Sequence, residues 1–159
     1  MTWILALDEN VFYFAAKLEN EAGIRDDTCY AIFIALEREG HFICATPGLW
    51  ARLSGVIDEL KHIQAPVIPQ ISKMIGNALR TNFFVQVDVM SVPDIKRVRD
   101  KHGDGDLEVT KSAAGAPDTV GSKGLVSADR PLIDDLEFWS IPTKYGFVSL
   151  TPSEALIQL

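Results

Sequence analysis

Short apolar runs alternate with stretches of helical periodicity along this chain, the pattern of an α/β domain built on a parallel sheet. Trp3-Ile4-Leu5-Ala6-Leu7 is a continuous apolar run closed by Asp8-Glu9-Asn10, which predicts a strand buried on both faces. Val11 to Leu18 then reads as a helix, with Asn10 at the N-cap position. Asp26, Asp27 and Thr28 open a second helix that carries Ile32, Phe33, Ala35 and Leu36, and Gly40 ends it. Phe42-Ile43-Cys44-Ala45 predicts a second strand. Thr46-Pro47 supplies an N-cap and a proline at the first helical position, opening a helix to about Leu60.

Pro66 and Pro69 punctuate the chain before a helix through Ile71, Met74, Ile75, Ala78 and Leu79. Phe83-Phe84-Val85-Gln86-Val87 predicts a third strand, and Pro93 to Arg99 a short helix. His102-Gly103-Asp104-Gly105 reads as a turn, and Leu107 to Ala114 as a helix stopped by Gly115-Ala116-Pro117. Gly124-Leu125-Val126-Ser127 is the fourth expected strand and Phe147-Val148-Ser149-Leu150 the fifth. Thr151-Pro152-Ser153-Glu154 is a capping box with proline at its first helical position, starting a last short helix. Residues 1–159 carry no repeat and no domain boundary, so one domain is expected.

Composition narrows the function. At 159 residues and 47% apolar content, the chain can bury a sizeable core. A net charge of −7 argues against a polybasic nucleic-acid coat. The charge is uneven, however. Residues 61–101 carry 7 basic and 3 acidic side chains, with Lys96, Arg97, Arg99 and Lys101 clustered just ahead of Asp104 and Asp106. Such a cluster either guides a polyanion toward neighbouring carboxylates or is a solvated helix end. No apolar run reaches the roughly 20 residues of a membrane helix, and MTWILALDEN lacks the basic start of a signal peptide. Cys29 and Cys44, the only cysteines, sit among apolar neighbours and suit buried thiols in a reducing cytoplasm.

The carboxylates carry the chemistry. Two expected strands run into an aspartate, Leu7 into Asp8 and Val126-Ser127-Ala128 into Asp129. In open parallel sheets ligands bind outside the carboxyl ends of the strands. Asp106, with Asp104 two residues before it, can join the pair. Three converging carboxylates repel one another, and a hard divalent cation such as Mg²⁺ or Mn²⁺ relieves that repulsion. A cation held this way activates water against a phosphodiester. Capping is the plainer role for Asp8, Asp129 and the acidic residues around Gly105.

Ile4 to Val11 resembles the opening strand and D-x-N-V signature of PIN-domain proteins. Leu125-Val126-Ser127-Ala128-Asp129-Arg130-Pro131-Leu132 is similar to the family's late L-V-T-G-D-x-x-L motif. Asp106-Leu107-Glu108-Val109 resembles the D-x-x-h helix before it (h apolar), and Thr151 to Leu156 the T-P-x-E-h-L ending of one PIN branch. The four matches run in order through the whole chain. The resemblance implies a three-layer α/β/α fold with a central parallel sheet of about five strands. It also implies a metal-dependent endoribonuclease, often the VapC-type toxin of a toxin–antitoxin pair. RNA is then the substrate, and an antitoxin protein and a second copy of the chain are the partners. Asp8, Asp106 and Asp129 would be the catalytic metal ligands for Mg²⁺ or Mn²⁺, with Ser127 and Asn10 as polar groups beside them.

Two departures from the pattern matter. The family's usual glutamate, on the helix after the second strand, falls here at Arg52. Glu59 lies on nearly the same helical face, but about 10 Å further along the axis. An arginine aimed at Asp8 can neutralise carboxylates without a metal, which opens an alternative: a PIN-fold binding or regulatory module without catalysis. The stretch from Asp106 to Asp129 is also longer than usual, and Lys111 stands where the family helix is apolar. Phosphotransfer through Asp8 would call for a second aspartate where Asn10 stands. His41, His62 and His102 show no metal-triad spacing and read as structural or surface residues, and Trp3, Trp50 and Trp139 as core. No phosphate-binding glycine loop is present: Gly103-Asp104-Gly105 lacks the fingerprint's third glycine.

Overall fold

The computed structural model describes residues 2–60, 93–118 and 121–159. In chain order its elements are β1 (Trp3–Leu7), α1 (Glu9–Lys17), α2 (Thr28–Glu39), β2 (Phe42–Ile43) and α3 (Pro47–Leu60). After the second described segment begins come α4 (Pro93–His102) and α5 (Asp104–Ala114). The last are β3 (Ser122–Val126), α6 (Arg130–Phe138), α7 (Ile141–Tyr145), β4 (Val148–Leu150) and α8 (Pro152–Gln158). The four strands form one parallel sheet in the order β2-β1-β3-β4. The protein is therefore α/β, and its helices on a parallel sheet are consistent with three layers. The expected helix through Ile71–Leu79 and the strand at Phe83–Val87 lie outside the described residues.

β1 shows why the sheet is covered on both faces: all five of its residues are buried, including the side chains that alternate to opposite sides. α5 packs against β1 and β3, while α6 packs against β4, α1 against α2 and α3, and α2 against α8. Phe12 of α1 meets Phe33 of α2 with ring centroids 5.1 Å apart and tilted planes, a favourable aromatic geometry at the heart of the core. Buried residues from all three described segments join one apolar cluster. Trp3 is buried in it, and Trp50 and Trp139 pack partly buried against it, as expected of core residues.

Local signals end the elements where they should. Gly40 takes a left-handed conformation (φ 71°) and caps α2. The Thr46 hydroxyl accepts from the Leu49 backbone N–H at 3.1 Å, starting α3. The capping box of α8 is complete: Thr151 Oγ1 accepts from the Glu154 N–H, and Glu154 Oε2 from the Thr151 N–H. Two expectations need correction. The N-cap of α1 is Asp8 rather than Asn10, because the Asp8 carboxylate reaches the Glu9 N–H at 2.8 Å. His102-Gly103-Asp104-Gly105 is not an open turn, since helix runs up to His102 and resumes at Asp104. Gly103 alone absorbs the bend. Beyond Asp129 the chain enters α6, whose Leu132, Ile133 and Leu136 face the core. Among the described residues no helix is long and apolar enough to cross a membrane.

Candidate functional site

Strand register brings the first residues together. Leu7 of β1 pairs with Val126 of β3, so the next residues, Asp8 and Ser127, leave the sheet side by side at its carboxyl edge. The Asp8 backbone N–H donates to the Val126 carbonyl, extending the ladder by one bond. The Asp8 side chain is only 3% exposed. Its Oδ1 accepts from the Glu9 N–H at 2.8 Å, and its Oδ2 accepts from Ser127 Oγ at 2.6 Å and Asn10 Nδ2 at 3.2 Å. Ser127 Oγ in turn accepts from the Asp129 N–H at 3.0 Å and from Asn10 Nδ2 at 3.3 Å. Asn10 Oδ1 accepts from the Ala128 N–H at 3.2 Å. One serine and one asparagine therefore lock the two strand ends to each other. Burial outweighs these hydrogen bonds and pushes the Asp8 carboxyl up to about 6, with Glu9 and Asp129 adding to the rise.

Asp129 caps α6, accepting from the Leu132 N–H at 3.3 Å. Asp106, in the first turn of α5, faces both strand-end aspartates across the cleft. Its carboxyl rises to about 7, first through burial and then through the charges of Asp8, Asp129 and Glu9, against a lowering by Arg52. That mutual repulsion is the electrostatic mark of carboxylates converging on one spot.

One group of candidate ligand atoms at this edge draws in a histidine. His102, Asp106 and Asp129 each offer one atom within 4.8 Å of the other two, and this is the metal-capable group among the described residues. Asp8 stands beside them with its carboxylate oxygens already engaged by protein donors. Asp104 lies at the start of α5, exposed, and it is Asp106 that faces Asp8 and Asp129. The sequence points to His102 only as a structural or surface residue. Its separation of four residues from Asp106 is the one available clue, and Gly103 between them obscured it.

Arg52, on α3, stops at the rim. Its Nη1 lies 3.4 Å from Glu9 Oε1, and its side chain is 40% exposed. Its ion-pair partner is thus Glu9 rather than Asp8, and its charge also acts on Asp106. Gly105 makes room for this pair, since a Cβ there would sit 2.8 Å from Glu9 Oε1 and 3.2 Å from Arg52 Nη1. Lys111, unexpected in an apolar position, buries its stem and places Nζ 3.3 Å from Glu108 Oε1. Glu108 also accepts from Thr46 Oγ1 at 2.5 Å, so this polar trio ties α5 to the start of α3.

Fold and site together define a parallel α/β protein with a carboxylate–histidine cluster at the carboxyl edge of its sheet. Compared with protein-family models, with curated proteins and with solved structures, the chain shows no match in any of the three.

Proposed function

We propose that this chain is a PIN-like, metal-dependent endoribonuclease, in which Mg²⁺ or Mn²⁺ is held by the carboxylates at the sheet edge. The observation that carries the reading is the convergence of Asp8, Asp106 and Asp129, two of them strand-end residues joined through Ser127 and Asn10. The donor set fits a divalent cation: the oxygens of Asp106 and Asp129 lie within reach of one ion, and their repulsion is what a cation offsets. When bound, the cation supplies Lewis acidity and an activated water. Asp8, held by the Ser127 hydroxyl and the Asn10 amide, keeps a buried negative charge next to that position. Lys96 and Arg97, exposed on α4, give a phosphate backbone a cationic approach. A sheet of about five strands, a cytoplasmic setting, a toxin–antitoxin context with an antitoxin partner, and homodimerisation belong to the same proposal.

Calorimetric titration with Mn²⁺ tests it, with cleavage of a single-stranded RNA as the second readout. The native protein is expected to bind Mn²⁺ and cleave, and Asp106→Asn to bind at least tenfold more weakly and cleave far more slowly. Undiminished binding and cleavage in Asp106→Asn would overturn the assignment.

The position of Arg52 favours one alternative, a PIN-like binding module without catalysis. Its guanidinium lies against Gly105 and lowers the Asp106 carboxyl, partly doing the work of a cation. On that reading the native protein binds no Mn²⁺, and Arg52→Glu creates the binding.

A further inference from the structure

We propose that His102 is a ligand of this centre through Nδ1, and that it gives the site a preference for a first-row transition cation over Mg²⁺. The inference rests on the metal-dependent reading above and deepens it, because it states which cation the residues suit.

His102 is the last residue of α4, and its side chain is only 8% exposed. Nε2 lies 2.7 Å from Asp135 Oδ2 on α6, a charge-assisted hydrogen-bond distance. Asp135 is held anionic, its carboxyl lowered first by Lys101 and then by His102 itself, with Lys101 Nζ 2.6 Å from the same oxygen. The Asp135 carboxylate thus engages the ring nitrogen that faces away from the cluster and leaves Nδ1 as the nitrogen on the Asp106 side. Trp139, its ring centroid 6.2 Å from that of the imidazole in an edge-type arrangement, closes one side. This is the arrangement in which a carboxylate behind a histidine sets the tautomer and aims the opposite nitrogen at a metal.

Nδ1 points into the cluster. Its nearest carboxylate atom there is Asp106 Oδ2 at 3.9 Å, too far for a hydrogen bond. A cation about 2.1 Å from each ligand spans a gap of up to about 4 Å, so one ion reaches both atoms, and Asp129 lies within the same group. The set is thus a buried, pre-oriented imidazole nitrogen plus two carboxylates, rather than carboxylates alone. Mg²⁺ favours all-oxygen surroundings, whereas Mn²⁺, Co²⁺ and Zn²⁺ accept imidazole with rising affinity in that general direction.

Competition calorimetry with Mn²⁺, Co²⁺ and Mg²⁺ tests the proposal on the native chain, on His102→Gln and on Asp135→Asn. The native protein is expected to bind Co²⁺ and Mn²⁺ at least tenfold more tightly than Mg²⁺. In His102→Gln that preference should shrink to about threefold or less while Mg²⁺ binding persists, and the visible spectrum of bound Co²⁺ should change. Asp135→Asn, which removes the orienting charge but leaves the imidazole, should weaken Co²⁺ binding about tenfold or more. An unchanged cation preference and Co²⁺ spectrum in His102→Gln would overturn the inference and leave the metal-dependent reading standing, with His102 and Asp106 as a simple ion pair. A native protein that binds none of the three cations would overturn both. Should His102→Gln fail to fold, Asp135→Asn decides: an unchanged Co²⁺ affinity there refutes the role of His102.

Discussion

A carboxylate that is buried, hydrogen-bonded and flanked by other carboxylates is pulled in opposite directions, and at Asp8 burial prevails. Ser127 and the Glu9 N–H favour the charged form, yet the carboxyl stands at about 6 and that of Asp106 at about 7. In the unfolded chain both return to the ordinary aspartate value near 3.9. Between pH 4 and 7 the metal-free folded protein therefore holds protons that the unfolded chain has released, and stability falls as pH rises. The stabilising contribution is complete below the unfolded value and is lost as pH passes through 6 for Asp8 and 7 for Asp106. Asp26, Asp118 and Asp135, whose carboxyls are lowered, titrate below this window and do not set its slope. The unfolding free energy of the metal-free protein, read from urea titrations, should fall from pH 4 to pH 7, by about 2–3 kcal/mol for Asp8 alone, and the urea midpoint with it. Asp8→Asn should flatten that decline. A midpoint that rises over the same range would show that Asp8 and Asp106 are not the protonated residues.

At the scale of elements, the bend between α4 and α5 decides whether the site exists. Gly103 has φ 98° and ψ 178°, a region reached almost only by glycine, and a Cβ there meets nothing within 4 Å. Gly103→Ala should therefore act through the backbone alone, destabilising by about 1–3 kcal/mol in urea unfolding while also loosening His102 from Asp106. A fully stable Gly103→Ala protein would mean that the bend tolerates an ordinary residue. The same segment shows where sequence reasoning stops. Elements with strictly local signals were legible: the apolar run of β1, the glycine that ends α2, Thr46-Pro47 and the capping box of α8. Gly-Asp-Gly has the composition of a turn, but only one of its glycines bends while the rest is helix, and residue type does not distinguish the two. That Asp8, Asp106 and Asp129 come near one another was legible because aspartates at strand ends and helix starts mark a sheet's carboxyl edge. His102 was not, because its orientation depends on Asp135, which α6 delivers from 33 residues away.

Over the whole molecule the charges divide as the elements do. An acidic protein of net −7 repels RNA on average, so the endoribonuclease reading proposed above requires a local exception near the cluster. α4 is that exception, since it exposes Lys96 and Arg97 and ends at His102 in the site. The six helical steps from Lys96 to His102 span about 9 Å, short enough for a phosphate held by Lys96 to keep the adjoining backbone at the cluster. Arg99 and Lys101, by contrast, are paired with Asp100 and Asp135, and Lys101 serves the orientation of His102. Substituting both exposed cations, Lys96→Ala with Arg97→Ala, should leave stability within about 0.5 kcal/mol. Single-stranded RNA should bind more weakly, and the slope of log affinity against log salt should become shallower by about 1.4, two phosphate contacts at roughly 0.7 each. Metal binding should not change, because neither side chain belongs to the cluster. A slope identical to that of the native protein would place the RNA on another face and separate the cationic helix from the chemistry of the carboxylates.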